Sequence, residues 1–385
     1  MKITNFTDQK HGQIIFTLQG YHAYIPNNLP PNIEASWELS HKISVADRAL
    51  SELAGATRTL PNPHLFINSF LRREAVLSSR IEGTQASLSD LFFFEAAGEQ
   101  QKQSDVQEVI NYVKALNYGV DRLNDLPLSV RLLSEIHEKL MKDVRRNESR
   151  LTPGEIRRSQ NWIGKAGSSL MDATYIPPPV EEMKNCLGEL EKYFHADSHL
   201  PPLVRLALIH YQFEAIHPFL DGNGRIGRLL ITLLLIKEQL LPQPILYLSA
   251  FFERNRERYY ELLLGVSQKG IWQEWIEYFL QGVAEESRDA VMRANSIIDL
   301  WTNYRQKLQN GRHSVSTLTL LDEIIKTPVM TYTKAQKLLG VTNRAARQNV
   351  DKLVEIGLLR EVTKRERYKI FVATEIISIL ERVEN

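Results

Sequence analysis

A single cysteine, Cys186, occurs in 385 residues. No intramolecular disulfide can form, which suits a reducing compartment rather than a secreted, cross-linked scaffold. Long apolar runs are missing as well. The longest, residues 229–236, stops at Lys237, well short of the ~20 residues that cross a bilayer. The start, Met1-Lys-Ile-Thr, has no apolar stretch followed by a small-residue cleavage site, so a cytoplasmic protein without membrane contact is expected. The formal net charge is only +1, which argues against a chain that binds polyanions over its whole surface. There is no fixed-period repeat and no G-x-x-x-x-G-K-[ST] string, which excludes a solenoid and a P-loop. What is plentiful is hydrophobic residues, 43% of the chain, enough for real cores in two or three domains.

Proline clusters at Pro26 to Pro31, Pro61 to Pro63 and Pro177 to Pro179 mark irregular connections. Between them, apolar positions recur at helical spacing. Residues 65–82 put Phe66, Phe70, Leu77 and Ile81 on one stripe, with Gly83 placed to stop the helix. Residues 105–124, 128–145, 180–195 and 201–217 follow the same period. Residues 203–216 and 226–236 are apolar nearly all round, as helices in the middle of a globule are. The fold class this predicts is all-α, with that pair at its centre. Val291, Ala294, Ile298, Trp301, Tyr304 and Leu308 predict a long amphipathic helix, read equally well as a connector or as one more bundle helix.

After Gly311 the charge changes sign. Residues 312–385 hold 13 Lys/Arg and 9 Asp/Glu, a net +4, against 34 and 37, a net −3, in residues 1–311. Two helices at 317–325 and 333–339, a turn at Gly340-Val-Thr342, a third helix at 343–356 and a short alternating stretch at 358–372 give the winged helix-turn-helix order. Asn343, Arg344, Arg347 and Gln348 would face outward from the third helix, toward DNA or a protein partner.

The informative segment is His217-Pro-Phe-Leu-Asp-Gly-Asn-Gly-Arg-Ile-Gly-Arg228. Pro218 disfavours helix at the residue before it, so the first buried helix should end near His217. Gly222 and Gly224 let backbone N–H groups turn toward one point, and a second helix should begin at about Arg225. A glycine-rich turn feeding a helix N-terminus is an anion site. Arg225 and Arg228 add charged forks suited to phosphate oxygens. Asp221 is a hard oxygen ligand for Mg²⁺, which takes one or two carboxylates plus phosphates. His217 can accept a proton near neutral pH. Together these are the parts of a phosphoryl or nucleotidyl transfer site.

Other readings of the same residues are weaker. Gly222, Gly224 and Gly227 match the G-x-G-x-x-G string of dinucleotide-binding folds, but a helix precedes them and no βαβ unit is visible. His210, Glu214 and His217, at i, i+4 and i+7, could chelate zinc from one helix face, although a packed histidine and a satisfied acid explain the first two more simply. An ordinary capping loop leaves an acid, two arginines and a histidine within twelve positions unexplained.

The segment matches, position by position, the H-P-F-x-[DE]-G-N-G-R-x-x-R signature of Fic domain proteins, and the resemblance extends through much of residues 30–285. It implies a helical core with a small β-hairpin flap, and transfer of AMP from ATP to a Tyr, Ser or Thr hydroxyl of a target protein, the chain itself included. By motif position His217 would be the base and Asp221 the Mg²⁺ ligand. Asn223 with the amides of Gly222 and Gly224 would hold the α- and β-phosphates, Arg225 would help with the β-phosphate and Arg228 would pair with the γ-phosphate. The phosphotransferase branch has lysine where Gly224 stands, so the resemblance is to the AMP-transferring branch. Upstream, Ser78-Ser-Arg-Ile-Glu82-Gly83 fits the inhibitory motif [ST]-x-x-x-E-[GN]. It implies that Glu82 pairs with Arg228 where a γ-phosphate would go, with Ser78 one helical turn before it and Gly83 ending the helix.

Residues 159–179 hold Gly164, Gly167 and Asp172 around short β-prone runs, consistent with a hairpin. Family members carry the target-docking flap here, with Thr174, Tyr175 and Ile176 as candidates. Asn255-Arg-Glu-Arg-Tyr-Tyr260 resembles the family's Asn-Arg-x-x-Tyr-Tyr region, so Asn255 and Tyr259 are candidates for base or ribose contact, with core packing the competing explanation for the tyrosines. The organisation that follows is an N-terminal region with the inhibitory helix (1–104), a catalytic core (105–285), a connector helix (286–311) and a winged helix-turn-helix (312–385). Alternative functions are a nucleotide-sensing DNA-binding regulator, removal of AMP by the same site, and a different nucleotide or phosphocholine donor. The resemblance also makes a homodimer an expectation.

Overall fold

The computed structural model describes residues 1–7, 10–59, 64–97, 104–144, 152–165, 167–310, 314–363 and 368–382. It opens with a hairpin that periodicity did not signal, β1 (Gly12–Phe16) antiparallel to β2 (His22–Pro26). Eleven helices follow among the described residues: α1 (Trp37–Thr59), α2 (His64–Ile81), α3 (Leu88–Ala97), α4 (Ser104–Arg122), α5 (Val130–Leu140), α6 (Val180–His195), α7 (Pro202–Ile216), α8 (Asn223–Lys237), α9 (Ser249–Arg254), α10 (Arg256–Lys269) and α11 (Trp272–Asn310). The expected end of the fifth helix at residue 145 lies outside the described residues.

The two helices that are apolar all round do form the centre. In α7 every residue from Leu203 to Ile216 except Glu214 is buried, and α8 is buried almost continuously to Leu235. A helix without a polar face gains most when neighbours cover it on every side. Here α6, α10 and α11 cover α7, while α2, α4 and α5 cover α8. The residues expected to form a connector are the second half of α11, a single 39-residue helix. Its first half is core, with Trp275 and Phe279 fully buried, and α1 lies along it.

The C-terminal region has the winged order: α12 (Val315–Lys326), β3 (Val329–Thr331), α13 (Tyr332–Leu339), α14 (Asn343–Glu355), β4 (Arg360–Glu361), β5 (Ile370–Val372) and a last helix, α15 (Thr374–Glu381). The strands pair antiparallel in the order β3-β5-β4. Local chemistry sets the turn. Gly340 ends α13 with φ 62°, and the Thr342 hydroxyl caps α14 by accepting from Ala345 N–H. The wing tip at residues 364–367 lies outside the described residues. This region is built onto α2, which α12 and α15 both pack against. The buried Ser69 hydroxyl donates to the Ile325 carbonyl at 3.0 Å, closing the end of α12.

Candidate active site

The α7–α8 turn is held from several sides. His217 ends α7 in the left-handed region, φ 51° and ψ 61°, a conformation that costs a non-glycine residue about 1–2 kcal/mol. Arg157 and Asn161 hold it there. Arg157 Nε and Asn161 Nδ2 donate to the His217 carbonyl at 3.0 and 3.2 Å, and the Arg157 amide donates to the Pro218 carbonyl at 2.9 Å. Arg157 is fully buried, and burial lowers its guanidinium to about 10. Asn223 completes the loop: its side chain accepts from Phe219 N–H and donates to the Phe219 carbonyl, both at 2.8 Å. These two bonds brace the loop from within.

His137 supports the turn from below. Its Nδ1 accepts the Gly154 amide at 2.9 Å, so Nε2 carries the proton and donates to the Asp221 carbonyl at 3.0 Å. The ring stacks on Phe219 at 3.9 Å between centroids, and burial lowers it to about 4. His217 is lowered to about 4 by burial, with Arg157 adding to the effect, so it is neutral at pH 7. Its Nδ1 lies 3.2 Å from the Glu214 carbonyl. A carbonyl can only accept, so Nδ1 carries the proton and Nε2 keeps its lone pair.

The first intrahelical bond of α8 is Ile226 N–H to the Gly222 carbonyl at 3.0 Å, and Gly222 caps the helix with φ 80°. The amides of Asn223, Gly224 and Arg225 thus have no acceptor within the helix, and the dipole places partial positive charge beside them. Glu82 lies over this end. A Cβ on Gly224 would come within 2.3 Å of Glu82 Oε1 and 3.0 Å of Arg228 Nη1. Glu82 Oε1 accepts from Arg228 Nη2 at 2.7 Å. Arg228 also donates from Nε to the Ser78 hydroxyl at 2.9 Å and from Nη2 to the Ser78 carbonyl at 2.8 Å. Burial alone would lower the Arg228 guanidinium, but Glu82, with smaller contributions from Tyr259 and Tyr260, raises it. Ser78 is carried by α2, Glu82 is the first residue beyond its end, and Gly83 turns the chain away at φ 100°. Glu74, one turn before Ser78, accepts from Tyr112 on α4 and Ser249 on α9, at 3.0 and 2.5 Å, pinning α2 between those helices.

The remaining expected residues have partners within the protein or lie at its surface. Arg225 is buried but points away from Arg228, to Glu108 Oε2 at 2.9 Å, with Asp221 Oδ1 at 3.7 Å. Tyr259 is core: its hydroxyl lies 2.8 Å from His210 Nε2, and only 1% of it is exposed. The exposed member of the tyrosine pair is Tyr260, whose hydroxyl reaches the Ile81 carbonyl at 3.4 Å. Asn255 starts α10 and donates to the Phe251 carbonyl at 2.9 Å. His210 is a packed histidine, as the simpler reading had it, with Nδ1 3.0 Å from the Gly227 carbonyl. Among the described residues the expected hairpin is one antiparallel bridge, Ile163 to Tyr175. Within it Thr174 is exposed, while Tyr175 and Ile176 are buried. Tyr175 donates its hydroxyl to the Ala215 carbonyl at 2.8 Å, which ties the hairpin to the end of α7.

Arg157, Asn161, His137 and Glu108 carry no local signal, since each acts on a segment distant in the chain. Among the described residues no three His, Cys, Asp or Glu groups form a metal cluster. Asp221, whose Oδ1 accepts the Gly222 amide at 2.6 Å and whose side chain is 30% exposed, is a single hard donor. That fits a Mg²⁺ which takes its remaining oxygens from phosphates and water. No helix among the described residues is long and apolar enough to cross a membrane.

Comparison with known proteins agrees with this geometry. The Fic/DOC family N-terminal profile matches residues 40–121 and the Fic/DOC family profile residues 127–235. An HTH DNA binding domain profile matches residues 318–371. A probable protein adenylyltransferase of Aquifex aeolicus is 26% identical over 79% of this chain and 86% of its own length. The protein adenylyltransferase Fic of Drosophila erecta is 27% identical over 49% of this chain, which spans 34% of that relative. The crystal structure of a Fic family protein from Desulfovibrio desulfuricans G20 covers 93% of this chain and 100% of its own, with a TM-score of 0.57 at 18% identity, a likeness of fold.

Proposed function

Because the chain belongs to the Fic/DOC family, we propose that it moves AMP from ATP to a Tyr, Ser or Thr hydroxyl of a protein, and that Glu82 holds the site closed. The observation that carries this reading is the 2.7 Å pair between Glu82 and Arg228, laid across the start of α8 beside a neutral His217. A carboxylate there holds the guanidinium that a phosphate would need and lies against Gly224 in the first turn of α8, at the positive end of its dipole.

With Glu82 displaced, the terminal phosphate takes its place on Arg228, and the free amides at the start of α8 receive the phosphates behind it. His217 Nε2 accepts the proton of the attacking hydroxyl. The oxygen forms a bond to the α-phosphorus, the bond to the β-phosphate oxygen breaks, and pyrophosphate leaves. Asp221 would hold Mg²⁺, which supplies positive charge against the phosphates when bound. Thr174 and the backbone beside it offer an edge on which an extended target segment can lie.

Intact-mass analysis of the full chain with ATP and Mg²⁺ tests this. Glu82→Gly gains an added AMP on itself or on a lysate protein, wild type gains far less, and Glu82→Gly with His217→Ala gains none. Equal labelling with and without the imidazole would contradict it.

A second reading concerns the C-terminal region. Asn343, Arg344, Arg347 and Gln348 are all exposed on α14, the third helix of a region that matches an HTH DNA binding domain. We infer that this face binds duplex DNA through phosphate contacts, so that affinity falls steeply with salt. Duplex binding by the full chain that is lost in Arg344→Ala with Arg347→Ala supports it, and unchanged binding by that variant contradicts it.

A further inference from the structure

Glu214 stands beside this site with no assigned role. It lies on the last turn of α7, and its backbone carbonyl faces His217 Nδ1. Its side chain reaches across to α8, where a Cβ on Gly227 would come within 2.2 Å of Glu214 Oε1. Glu82 makes the corresponding approach at Gly224, one turn earlier, where the same Cβ distance is 2.3 Å. Positions three apart share a helix face, so two carboxyl groups are ranged along one side of α8 with Arg228 next to both.

Two atoms there lack partners among the described residues: Arg228 Nη1 and Glu214 Oε1, both sealed from solvent. The Arg228 side chain is only 2% exposed. Buried polar atoms are nearly always hydrogen-bonded, and leaving one unmade costs roughly 1–3 kcal/mol. These two atoms do not pair with each other, since neither has a hydrogen-bond partner. A buried donor and a buried carboxyl oxygen, both without partners, thus lie along residues 224–227 of α8, next to the amides that open the helix.

We propose that Glu214, in its protonated form, donates a hydrogen bond to the terminal phosphate of ATP while Arg228 Nη1 binds the same group. This rests on the nucleotide reading above and adds a recognition residue to it. A phosphate offers several acceptor oxygens, so it can serve both donors at once. An ionised carboxylate in that position would repel it, and two anions at such range do not both stay charged. The surroundings favour the neutral acid. Burial is the leading cause that raises Glu214 to about 8, Arg228 opposes it and Glu82 reinforces it. The other groups facing it are His210 and His217 on α7, held neutral at about 3 and about 4, and the Tyr259 phenol on α10. Exchanging Glu82 for a phosphate keeps negative charge in place, so the proton stays.

The test is ATP affinity with excess Mg²⁺, measured by calorimetry on the full-length Glu82→Gly chain near pH 7 and near pH 9. In the free Glu82→Gly chain Glu214 lacks the neighbouring charge that helps raise it, and the bound phosphate restores that charge, so ATP carries a proton into the site and affinity should fall several-fold from pH 7 to pH 9. Glu82→Gly with Glu214→Gln should lose that dependence, because the amide donates at either pH, and ADP should show none in either chain. Equal ATP affinity at both pH values in Glu82→Gly, or the same fall with ADP, overturns the role of Glu214 and leaves AMP transfer standing. No ATP binding at either pH overturns both.

Discussion

The two flanks of the α8 start carry the same residue type in opposite situations. On the α4 side, Arg225 meets Glu108 at 2.9 Å, and both side chains are deeply buried, 2% and 11% exposed. On the α2 side, Arg228 meets Glu82 at 2.7 Å, but that carboxylate is 34% exposed and stands at a helix tip. The first pair is closed, because both side chains are buried and neither is at a surface to which it could turn. The second can open, since Glu82 can turn to solvent and leave Arg228 with an unused donor. One arginine is fastened into the fold, and the other is the one we propose receives a ligand. What separates them is the partner supplied by a distant segment.

Substitutions on the two flanks should part accordingly. The largest effect is expected from Arg225→Ala, which breaks a buried ion pair and should lower stability by about 3–5 kcal/mol. Urea unfolding measures it, and a loss no larger than that of Arg228→Ala would erase the contrast. Next comes Arg228→Ala in the Glu82→Gly chain, expected to slow AMP incorporation on the order of 100-fold, as loss of a preorganised donor does, with a smaller stability cost than the Arg225 change. A rate within a fewfold of Glu82→Gly would move the phosphate off Arg228. A milder effect is set by pH. His217 must be neutral to take a proton, and its value is lowered to about 4. Incorporation by Glu82→Gly should hold level from pH 7 down to about pH 5 and fall by half near pH 4, whereas a decline centred near 6.5, the ordinary histidine value, would show that His217 is not shielded. The smallest effect belongs to the winged region, where Arg344→Ala with Arg347→Ala should leave AMP incorporation unchanged while weakening duplex binding and flattening its salt dependence. A parallel loss of incorporation would tie the two activities together.

The same contrast explains what was legible in the sequence. His217, Asp221, Gly222 and Arg228 lie within one turn and the start of one helix, so their convergence is local and readable from spacing. The all-round apolar helices also announced the core, because no polar face was left to orient. Arg225 and Arg228 could not be told apart, since Glu108 and Glu82 are themselves far apart in the chain. Tyr259 and Tyr260 differ in burial only through the packing of Tyr259 against His210 and Phe252, which no spacing encodes. The apolar run of α3 has no polar alternation to mark a face. The short strands of the N-terminal hairpin have too few positions to show a period of two. Asn223 is named by motif position as a phosphate holder, and its reciprocal bonds to Phe219, which brace the loop, are not visible in spacing.

The central claim is that Glu82 occupies the ground of the terminal phosphate. Affinity for ATP, measured side by side on the full-length wild type and Glu82→Gly near pH 7, tests it most directly. Glu82→Gly should bind at least about tenfold more tightly, because the wild-type site is open for only a fraction of the time, and the difference should vanish for AMP. Equal ATP affinity in the two chains would contradict the account.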